Sequence, residues 1–445
     1  MKILFIATVT EHINAFHIPY LKWFKEQGWE VHIATHGNGE ILYCDNKHNI
    51  SIERSPFSLG NLKAYFELKS ILKEEKFDII HGHTPMGGML ARLCGKSYRK
   101  RQISDDTSGI GDAIDTNIDS DTTRQFGTRV IYTAHGFHFY KGAPLINWLI
   151  YYPVEKVLSK YTDDLITINH EDFAFAKKKM NAKNIHYVPG VGVDTKKFSA
   201  ISSEAHAEIL KSEKRKELNI PESAIVLISV GELNKNKNHN VVLEVLAQLK
   251  SEYHNHESNT FNKSHVHSDS YVDNDNIDHK NHINEATANP DNLYYFICGS
   301  GLLQESLKSL AESLQLQTNV LFLGQRADVA ELLNMSDIFV FPSLREGLSV
   351  SLMEAMASGL PCIASNIRGN VDLIENEKGG LLCNAGTSSK ASTSNTTLEY
   401  AEAIKTLMAN ESLRNSMGAH NKEVIQKFDI EVVMKQMQKI YLQVR

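Results

Sequence analysis

Two glutamates, Glu346 and Glu354, are separated by seven residues in the segment FPSLREGLSVSLMEAMASGLP at positions 341–361. The hydrophobic pattern predicts a strand, a turn, and an amphipathic helix that begins near Leu348 and ends at 359–361. A carboxylate in the first turns of such a helix can accept hydrogen bonds from paired hydroxyls, as on a ribose. These residues alone leave an alternative open, in which Glu346 caps the helix and Glu354 faces solvent.

The predicted start of this helix has the chemistry of a phosphate site. Gly347 has no side chain and lets the backbone approach a ligand closely. The free N–H groups of Leu348, Ser349 and Val350 would lie at the positive end of the helix, which attracts anions. A nucleotide is therefore a candidate ligand.

The elements that must position these groups repeat along the chain. Short apolar runs alternate with longer amphipathic stretches, which is typical of βαβ units and a parallel sheet. Two such series are separated by a polar segment from 195 to Pro221, which predicts a linker. Ligands of parallel sheets bind at the carboxyl ends of the strands, so we expect a site in a cleft between two tandem domains. Strands are predicted at 2–7, 30–34, 77–81, 129–133, 164–168, 185–188, 224–230, 293–298, 320–323, 338–341, 362–364 and 380–383.

The composition excludes several classes of protein. With 42% hydrophobic and 22% charged residues, the 445-residue chain is neither disordered throughout nor a collagen-like or disulfide-built scaffold. Its net charge of −6 argues against a dedicated nucleic-acid binder. The five cysteines show no metal-binding spacing and predict buried thiols in a reducing compartment. The apolar start KILFIATV predicts a first strand, not a signal peptide, so a cytoplasmic location is expected.

Three polar segments, 104–124, 251–292 and 386–397, interrupt the pattern and predict surface insertions. The second contains six of the 20 histidines. Histidine-rich tracts can bind metals, but irregular spacing and the lack of cysteines argue against a metal site there. The six are His254, His256, His265, His267, His279 and His282.

The Glu346–Glu354 segment, in the form FPSxxEGxxxxxxEAMAxGxP, resembles the signature of the retaining glycosyltransferases of family 4, also described as glycosyl transferases group 1. The resemblance extends along nearly the whole chain. SVGEL at 229–233, followed by Lys237, resembles the phosphate-binding loop of the family. GQRADV at 324–329 resembles its nucleobase loop, and YTAHGFHF at 132–139 resembles the strand end that carries its active-site histidine.

The resemblance implies a role for each matching residue. Glu354 would bind ribose hydroxyls, Glu346 the donor sugar, Lys237 the diphosphate, and His135 the donor sugar from the opposite domain. DIIHGHTP at 78–85 and GFHFYKGAP at 136–144 resemble enzymes that extend lipid-linked sugars. The implied catalytic residues are His135, Glu346 and Lys237, and the implied donor-binding residues are Glu354, Gly347, Leu348, Ser349, Arg326 and Gly231. The acceptor-side candidates are His81, His83 and His138. Of these, His81 and His83 could equally have a structural role.

One departure concerns the diphosphate. The family usually has an arginine where this chain has Glu232, and a carboxylate cannot neutralise phosphate. Either Lys235, Arg345 or Arg326 replaces it, or Glu232 faces away and the helix N–H groups suffice. No DxD pair stands in a convincing strand-end context, so we expect neither a metal nor another cofactor.

The first half also carries features that suit an anionic membrane surface. Basic clusters at 96–101 and 177–179 accompany an apolar, aromatic stretch at 145–152. Solvated helix faces and an ordinary core helix are the alternative. A peripheral location on the inner face of the cell membrane is therefore a hypothesis.

Together these observations predict an α/β protein of GT-B architecture, with two Rossmann-like domains facing across a cleft. We expect an acceptor-side domain at 1–198, a nucleotide-sugar domain at 199–428, and a helix at 429–445 that returns to the first domain. The expected reaction transfers a hexose or N-acetylhexosamine, with retention and without metal, from a UDP-linked donor to a lipid-linked or growing glycan. The rivals are a sugar-nucleotide epimerase of the same fold and a non-catalytic glycan-binding protein; a dinucleotide oxidoreductase is disfavoured because no strand precedes a GxGxxG.

Overall fold

The computed structural model describes residues 1–107, 127–199, 204–264, 289–386 and 390–443. The chain forms two compact units, Met1–Gly192 with Ile430–Arg445, and Val193–Asp429. We call them the first and the second domain. The structure thus changes domain at 192/193 and 429/430, where the sequence analysis placed the boundaries at 198/199 and 428/429.

The first domain is built on a seven-stranded parallel sheet in the order β3-β2-β1-β4-β5-β6-β7. Strand order reverses between β1 and β4, which makes that position the topological switch point of the sheet. The central strands are buried on both faces, as expected where helices cover a parallel sheet. The strands are β1 (Lys2–Val9), β2 (Glu30–His36), β3 (Asn46–Asn49), β4 (Ile79–His83), β5 (Arg129–Ala134), β6 (Asp164–Thr167) and β7 (Asn184–Tyr187).

Helices follow most strands of this domain. Two helices lie between β1 and β2, because the first begins directly after β1 and ends at His17, ahead of Pro19. Asn169 caps the helix that begins at His170 by accepting a hydrogen bond from the backbone N–H of Asp172. The helices are α1 (Thr10–Phe16), α2 (Ile18–Glu26), α3 (Gly60–Glu74), α4 (Pro85–Thr107), α5 (Leu145–Ser159) and α6 (His170–Lys179).

The last helix of the chain, α16 (Ile430–Leu442), completes the core of the first domain. Met437 and Tyr441 are buried against the sheet. The Arg129 guanidinium bridges Asp164, at 2.6 Å, and the carbonyl oxygen of Ile440, also at 2.6 Å. This arrangement satisfies a carbonyl at the end of the helix. The predicted return of the C-terminal helix to the first domain is confirmed.

The second domain has a six-stranded parallel sheet in the order β10-β9-β8-β11-β12-β13, with its switch point between β8 and β11. Its strands are β8 (Ile225–Val230), β9 (Leu293–Cys298), β10 (Val320–Gly324), β11 (Ile338–Phe341), β12 (Cys362–Ser365) and β13 (Gly380–Cys383). Its helices are α7 (Thr195–Phe198), α8 (Glu204–Glu217), α9 (Asn240–Ser264), α10 (Gln304–Ser313), α11 (Val329–Met335), α12 (Val350–Ala357), α13 (Asn370–Leu373), α14 (Lys390–Ala409) and α15 (Glu411–Val424).

The prediction of a linker between the two series of strands and helices is wrong. Helix α8 lies there and packs on α11, although its sequence is mostly polar. Arg215 is fully buried, pairs with Asp337 at 2.8 Å and donates to backbone carbonyls, while Lys214 pairs with Asp328 at 2.8 Å. Charged residues therefore hold this helix in place, and hydrophobic periodicity alone does not reveal it.

The predicted insertions are shorter than expected where the structure describes them. Helix α4 continues to Thr107, α9 to Ser264, and α14 begins at Lys390. Residues 108–126 and 265–288, with His265, His267, His279 and His282, lie outside the described residues. The short edge strand β3, with the polar sequence NKHN, was not predicted.

The cysteines are free thiols, as predicted. Four of them are buried and Cys44 is partly buried. Burial raises the pKa of Cys44 to about 11 and that of Cys298 to about 12, so these thiols are protonated at neutral pH and unreactive.

Candidate active site

An ion pair lies at the switch point of the second domain. The loop after β8 carries Lys237 and the loop after β11 carries Glu346, and Lys237 Nζ lies 2.8 Å from Glu346 Oε1. Because β8 and β11 are neighbours, their carboxyl ends bring two residues more than 100 positions apart into contact. The side chains of Lys237 and Glu346 are 17% and 14% exposed. The pair is therefore ordered but remains accessible to a ligand.

The stem of Lys237 is held on two sides. The ammonium lies 4.4 Å from the centroid of the Phe341 ring, within reach of a cation–π interaction. A Cβ on Gly231 would lie 3.1 Å from Lys237 Cε, so a side chain there would require the lysine stem to shift by a few tenths of an ångström. Asn234 fixes the backbone by accepting a hydrogen bond from the Lys237 N–H at 3.1 Å. The structure thus gives the predicted residue Gly231 a packing role beside the lysine.

The loop that carries Glu346 is tied to its neighbours through the backbone. Arg368, which is buried and follows β12, donates from Nε to the carbonyl oxygen of Glu346 at 3.3 Å. Gly369, at φ +84°, approaches so closely that a Cβ there would lie 2.3 Å from the carbonyl oxygen of Gly347. Arg368 is a second cation at this loop that the sequence analysis missed, because its segment SNIRGN carries no recognised spacing.

Helix α12 begins later than predicted, at Val350 and not near Leu348. Ser349 is its N-cap, and its side-chain oxygen accepts from the Leu352 N–H at 3.4 Å. The predicted phosphate donors therefore lie on both sides of the helix start. The N–H groups of Leu348 and Ser349 precede the helix, and that of Val350 belongs to its first residue. All follow Gly347 at the positive end of the helix.

Glu354 lies on α12 in an unusual environment for a carboxylate. Burial raises its pKa to about 7, against a smaller opposing influence from the Lys197 ammonium. Its carboxylate has no hydrogen-bond partner among the described residues, and it retains partial exposure. A carboxyl group that is neither paired nor fully solvated is a candidate for ligand binding.

Glu232 and the residues proposed to replace the missing arginine differ in their surroundings. Glu232 is exposed and accepts a hydrogen bond from the Asn234 side-chain amide at 3.0 Å. Arg326 forms two hydrogen bonds with Asp328, at 2.7 and 2.6 Å, and is thereby engaged within its own loop. Lys235 and Arg345 are exposed. The geometry favours Arg368 over Arg326 as the second cation.

In the first domain, histidines gather at the carboxyl edge of the sheet. His83 ends β4 and His135 follows β5, and His83 Nδ1 lies 3.4 Å from His135 Nε2. His12 on α1 and His17, between α1 and α2, lie against the same rings, with ring centroids of His17 and His83 3.9 Å apart. We call these four residues the histidine cluster. His12 and His17 were missed, although EHINAFH directly after β1 contained the signal.

Burial keeps the histidine cluster uncharged. It lowers the pKa of His12 to about 4 and that of His135 to about 3, and lowers those of His17 and His83 well below their usual value. Neighbouring histidines add to the effect. The carboxyl edge of this sheet thus offers neutral imidazoles and no fixed charge from them.

The other two acceptor-side candidates, His81 and His138, have partners of their own outside the cluster. His81 is fully buried, and its two ring nitrogens lie 2.8 Å from the Tyr441 hydroxyl and 2.9 Å from the Thr133 hydroxyl. Of the two roles left open for His81, this geometry supports the structural one. His138 stacks on Tyr151 of α5 at 4.7 Å, and its carbonyl accepts from the Asn147 side chain.

Known proteins resemble this chain in sequence and in fold. The family model described as glycosyl transferases group 1 matches residues 280–424, and that described as glycosyl transferase 4-like matches residues 2–105. The putative glycosyltransferase EpsD of Bacillus subtilis is 34% identical over 444 residues, which cover 99% of this chain and 96% of EpsD. An Escherichia coli UDP-Gal:alpha-D-GlcNAc-diphosphoundecaprenol alpha-1,3-galactosyltransferase is 27% identical over 327 residues, covering 73% of this chain and 67% of that protein.

Solved structures share the architecture of both domains. HepE of Anabaena, solved with UDP and glucose, superposes with a TM-score of 0.68 at 16% identity and full coverage of both chains. WaaG, a glycosyltransferase of lipopolysaccharide biosynthesis, gives 0.65 at 15% identity with 99% coverage of both. The predicted GT-B fold is confirmed. Since EpsD matches nearly the whole chain at 34% identity, the chain belongs to the glycosyl transferases group 1 and is a glycosyltransferase.

Proposed function

We propose that the protein transfers a hexose or N-acetylhexosamine from a UDP-linked donor to a polyprenyl-diphosphate-linked or growing glycan, with retention of anomeric configuration. The observation that carries the proposal is the Lys237–Glu346 pair at the switch point of the second domain, with the unpaired Glu354 on the helix that follows. A nucleotide diphosphate sugar has the groups that this site can bind: two phosphates, a ribose diol and sugar hydroxyls.

Each donor group has a candidate partner in the second domain. The Lys237 ammonium neutralises the diphosphate, and the N–H groups of Leu348 and Ser349 donate to the same oxygens. Glu354 accepts from the ribose hydroxyls, and Glu346 from hydroxyls of the sugar. The existing ion pair with Lys237 orients the Glu346 carboxylate before the donor arrives.

The leaving group is stabilised by protein cations in this proposal. As the bond between the sugar C1 and the phosphate oxygen breaks, negative charge grows on the diphosphate, and the Lys237 ammonium stabilises that charge. Arg368, hydrogen-bonded to the Glu346 backbone, supplies a second positive charge to the loop. Metal-independent transfer follows as part of the proposal.

Retention is proposed to occur by substitution on one face of the sugar. The acceptor hydroxyl oxygen bonds to C1 on the side from which the phosphate departs, and its proton passes to an oxygen of the leaving phosphate. The products are the glycosylated acceptor and the nucleotide diphosphate. His135, neutral at physiological pH, contacts the donor sugar through its ring or adjoining backbone.

The acceptor class rests on two supports. The Escherichia coli relative named above acts, by its name, on a GlcNAc-diphosphoundecaprenol acceptor, and a Campylobacter jejuni relative of 25% identity is named for a diphospho-undecaprenol acceptor as well. The donor nucleotide is supported by the UDP in the HepE structure. Such acceptors are held in a bilayer, so the enzyme must reach a membrane surface.

Helix α5 offers a surface suited to that task. Leu145 and Leu149, one turn apart, are 80% and 73% exposed, and Val157 continues the apolar face. The lysines at 177–179 in the last turn of α6 are exposed as well. Within the described part of the chain, no helix combines the length and apolar character needed to span a bilayer. We therefore propose peripheral attachment to an anionic membrane surface through α5.

A donor screen tests the reaction. The purified protein is incubated with UDP-, GDP- and dTDP-linked sugars, with and without a polyprenyl-diphosphate-linked sugar, and nucleotide release and product mass are measured. We expect acceptor-dependent UDP release, lost in Glu354→Ala and in His135→Ala. Glu305→Ala and His36→Ala, at exposed positions, serve as matched controls and should keep full activity. Full activity in either site variant, or epimerised donor as product, would contradict the assignment.

Vesicle flotation tests the membrane surface. The double variant Leu145→Glu/Leu149→Glu should lose binding to anionic vesicles at low salt, because it places two charges on the exposed face. Leu302, 97% exposed in the second domain, provides the matched control Leu302→Glu. Equal flotation of all three proteins, or none by the unaltered protein, would exclude α5 as the membrane surface.

A further inference from the structure

The histidine cluster lies where a Rossmann-like sheet normally receives a ligand. His12 comes from α1 directly after β1, His17 from the α1–α2 junction, His83 from the end of β4, and His135 from the residue after β5. Strands β1 and β4 flank the switch point of the first domain, and β5 is the next strand. Four elements therefore direct imidazoles to one position at the carboxyl edge of the sheet.

The ring nitrogens of the cluster are short of partners. Among the described residues, His12 Nε2, both ring nitrogens of His17, and His83 Nε2 are buried without a hydrogen bond. His17 and His83 are each only 2% exposed. Buried polar atoms in proteins are nearly always satisfied, so a concentration of unsatisfied nitrogens in one place indicates a ligand.

We propose that His12, His17, His83 and His135 together bind one divalent transition-metal ion, with Zn²⁺ as the best-suited member of the class. One nitrogen from each residue lies within 4.8 Å of all the others. Two nitrogens bound to a tetrahedral zinc at about 2.0–2.1 Å would lie about 3.3 Å apart. The His83–His135 pair is already at 3.4 Å, and the remaining rings need to move inward by about 1 Å or a little more.

Space and access also fit a small cation. A cavity of about 20 Å³ adjoins the rings of His17, His83 and His135, and a single water-sized occupant needs roughly 10–15 Å³. His12 and His135 are only partly buried and leave a route from solvent. An ion can therefore enter without unfolding the edge of the sheet.

The ligand set selects the class of ion. The four residues offer nitrogen ligands alone, and no carboxylate joins this group in the described part of the chain. Imidazoles suit zinc, copper, nickel and iron, whereas magnesium and calcium prefer oxygen ligands. The proposal concerns the first domain and leaves the metal-independent stabilisation of the diphosphate, proposed for the second domain, unchanged. With the ion bound, the His135 ring is a ligand, and the contact proposed with the donor sugar is made by the backbone beside it. It does not rest on the proposed function, since binding is measured without donor or acceptor.

Metal titration of the full-length protein tests the site. The protein is stripped with EDTA, passed over a desalting column, and titrated with Zn²⁺ in competition with a chromophoric chelator; Co²⁺ absorption reports nitrogen coordination. We expect one equivalent that His17→Ala and His83→Ala each weaken at least tenfold. His36→Ala removes an exposed histidine and should leave this equivalent unchanged. Zinc held elsewhere, including by the histidine-rich segment, is equal in all variants and cancels in the comparison.

A second measurement guards against misfolded variants. His12 is only partly buried, so its replacement should disturb packing less than replacement of the buried His17 or His83. Zn²⁺ should raise the melting temperature of the unaltered protein and of His36→Ala, and should raise it less in His12→Ala, because a ligand that binds the native state stabilises it. Equal zinc affinity and equal thermal shifts in His12→Ala and the unaltered protein would overturn the proposal.

Discussion

The two domains share a sheet topology but equip their switch points with opposite chemistry. Between β8 and β11 the second domain places a charged pair, Lys237 with Glu346. Between β1 and β4 the first domain places imidazoles that burial keeps neutral, His83 among them. A shared fold therefore fixes where a site forms, while the loops after the strands decide what it can bind.

The difference matches the division of labour expected in sugar transfer. A diphosphate leaving group needs fixed positive charge, which our proposal assigns to Lys237 of the second domain. The first domain instead presents rings that carry no charge of their own and that can donate or accept hydrogen bonds or bind a cation. The comparison can be tested one domain at a time.

The largest effect is expected at the charged switch point. Lys237→Met removes the cation beside the diphosphate and should lower kcat by about 100- to 1,000-fold, the loss typical of a single charge-stabilising donor. The measurement is UDP release at saturating donor. Lys216→Met, at an exposed position of the same domain, is the matched control and should change kcat less than threefold. If both variants retained activity, the second domain would not depend on its charged pair.

The next effect concerns the hydrogen bond to His81, which packs beside the histidines at the switch point of the first domain. Tyr441→Phe removes the hydroxyl beside His81 Nδ1 and leaves a buried ring nitrogen unsatisfied, at a cost of about 1–3 kcal/mol in the free energy of unfolding. Tyr400→Phe is the equivalent change in the second domain, where the partner is the Ser365 hydroxyl. A hydroxyl can rotate to another acceptor and a ring nitrogen cannot, so we expect a smaller loss there. Chemical denaturation measures both; an equal or larger loss in Tyr400→Phe would contradict the argument.

A smaller effect should appear in the pH dependence of nucleotide binding. Since burial raises the pKa of Glu354 to about 7, the group is mostly protonated at pH 6 and mostly ionised at pH 8. The carboxylate accepts hydrogen bonds from both ribose hydroxyls, so UDP affinity should rise with pH by up to about tenfold across this interval. Glu354→Gln should bind UDP weakly and without this rise, as measured by calorimetry. An unchanged pH dependence in Glu354→Gln would assign the titration to another group.

The sequence predicted the architecture well wherever hydrophobic periodicity was strong. Most strands were located to within a few residues because parallel strands buried on both faces are apolar runs. The sequence did not predict helix α8, in which the charged Arg215 is buried and paired with Asp337, or the polar edge strand β3. Burial of a paired charge leaves no hydrophobic signal in the sequence.

The sequence predicted those residues of the candidate site that belong to recognisable motifs. Lys237, Glu346 and Glu354 were identified from spacing and family resemblance; the structure pairs Lys237 with Glu346 and places Glu354 on the helix that follows. Arg368 was missed because it acts through the backbone of another loop. His12 and His17 were missed because neither belongs to a recognised motif; α1, which begins directly at the end of β1, brings them to the edge of the sheet.

The smallest effect tests the residue that departs from the family pattern. Glu232 is exposed and hydrogen-bonded to the Asn234 side chain, in the same loop as Lys237. If this position faces the diphosphate, Glu232→Arg adds a cation and should tighten UDP binding by a few-fold, the size expected for a solvent-screened charge. Glu232→Gln, which removes the negative charge without adding a positive one, should give about half the gain in free energy. A dissociation constant unchanged in both variants would show that Glu232 faces away from the nucleotide, and that Lys237 and the start of α12 suffice without an arginine there.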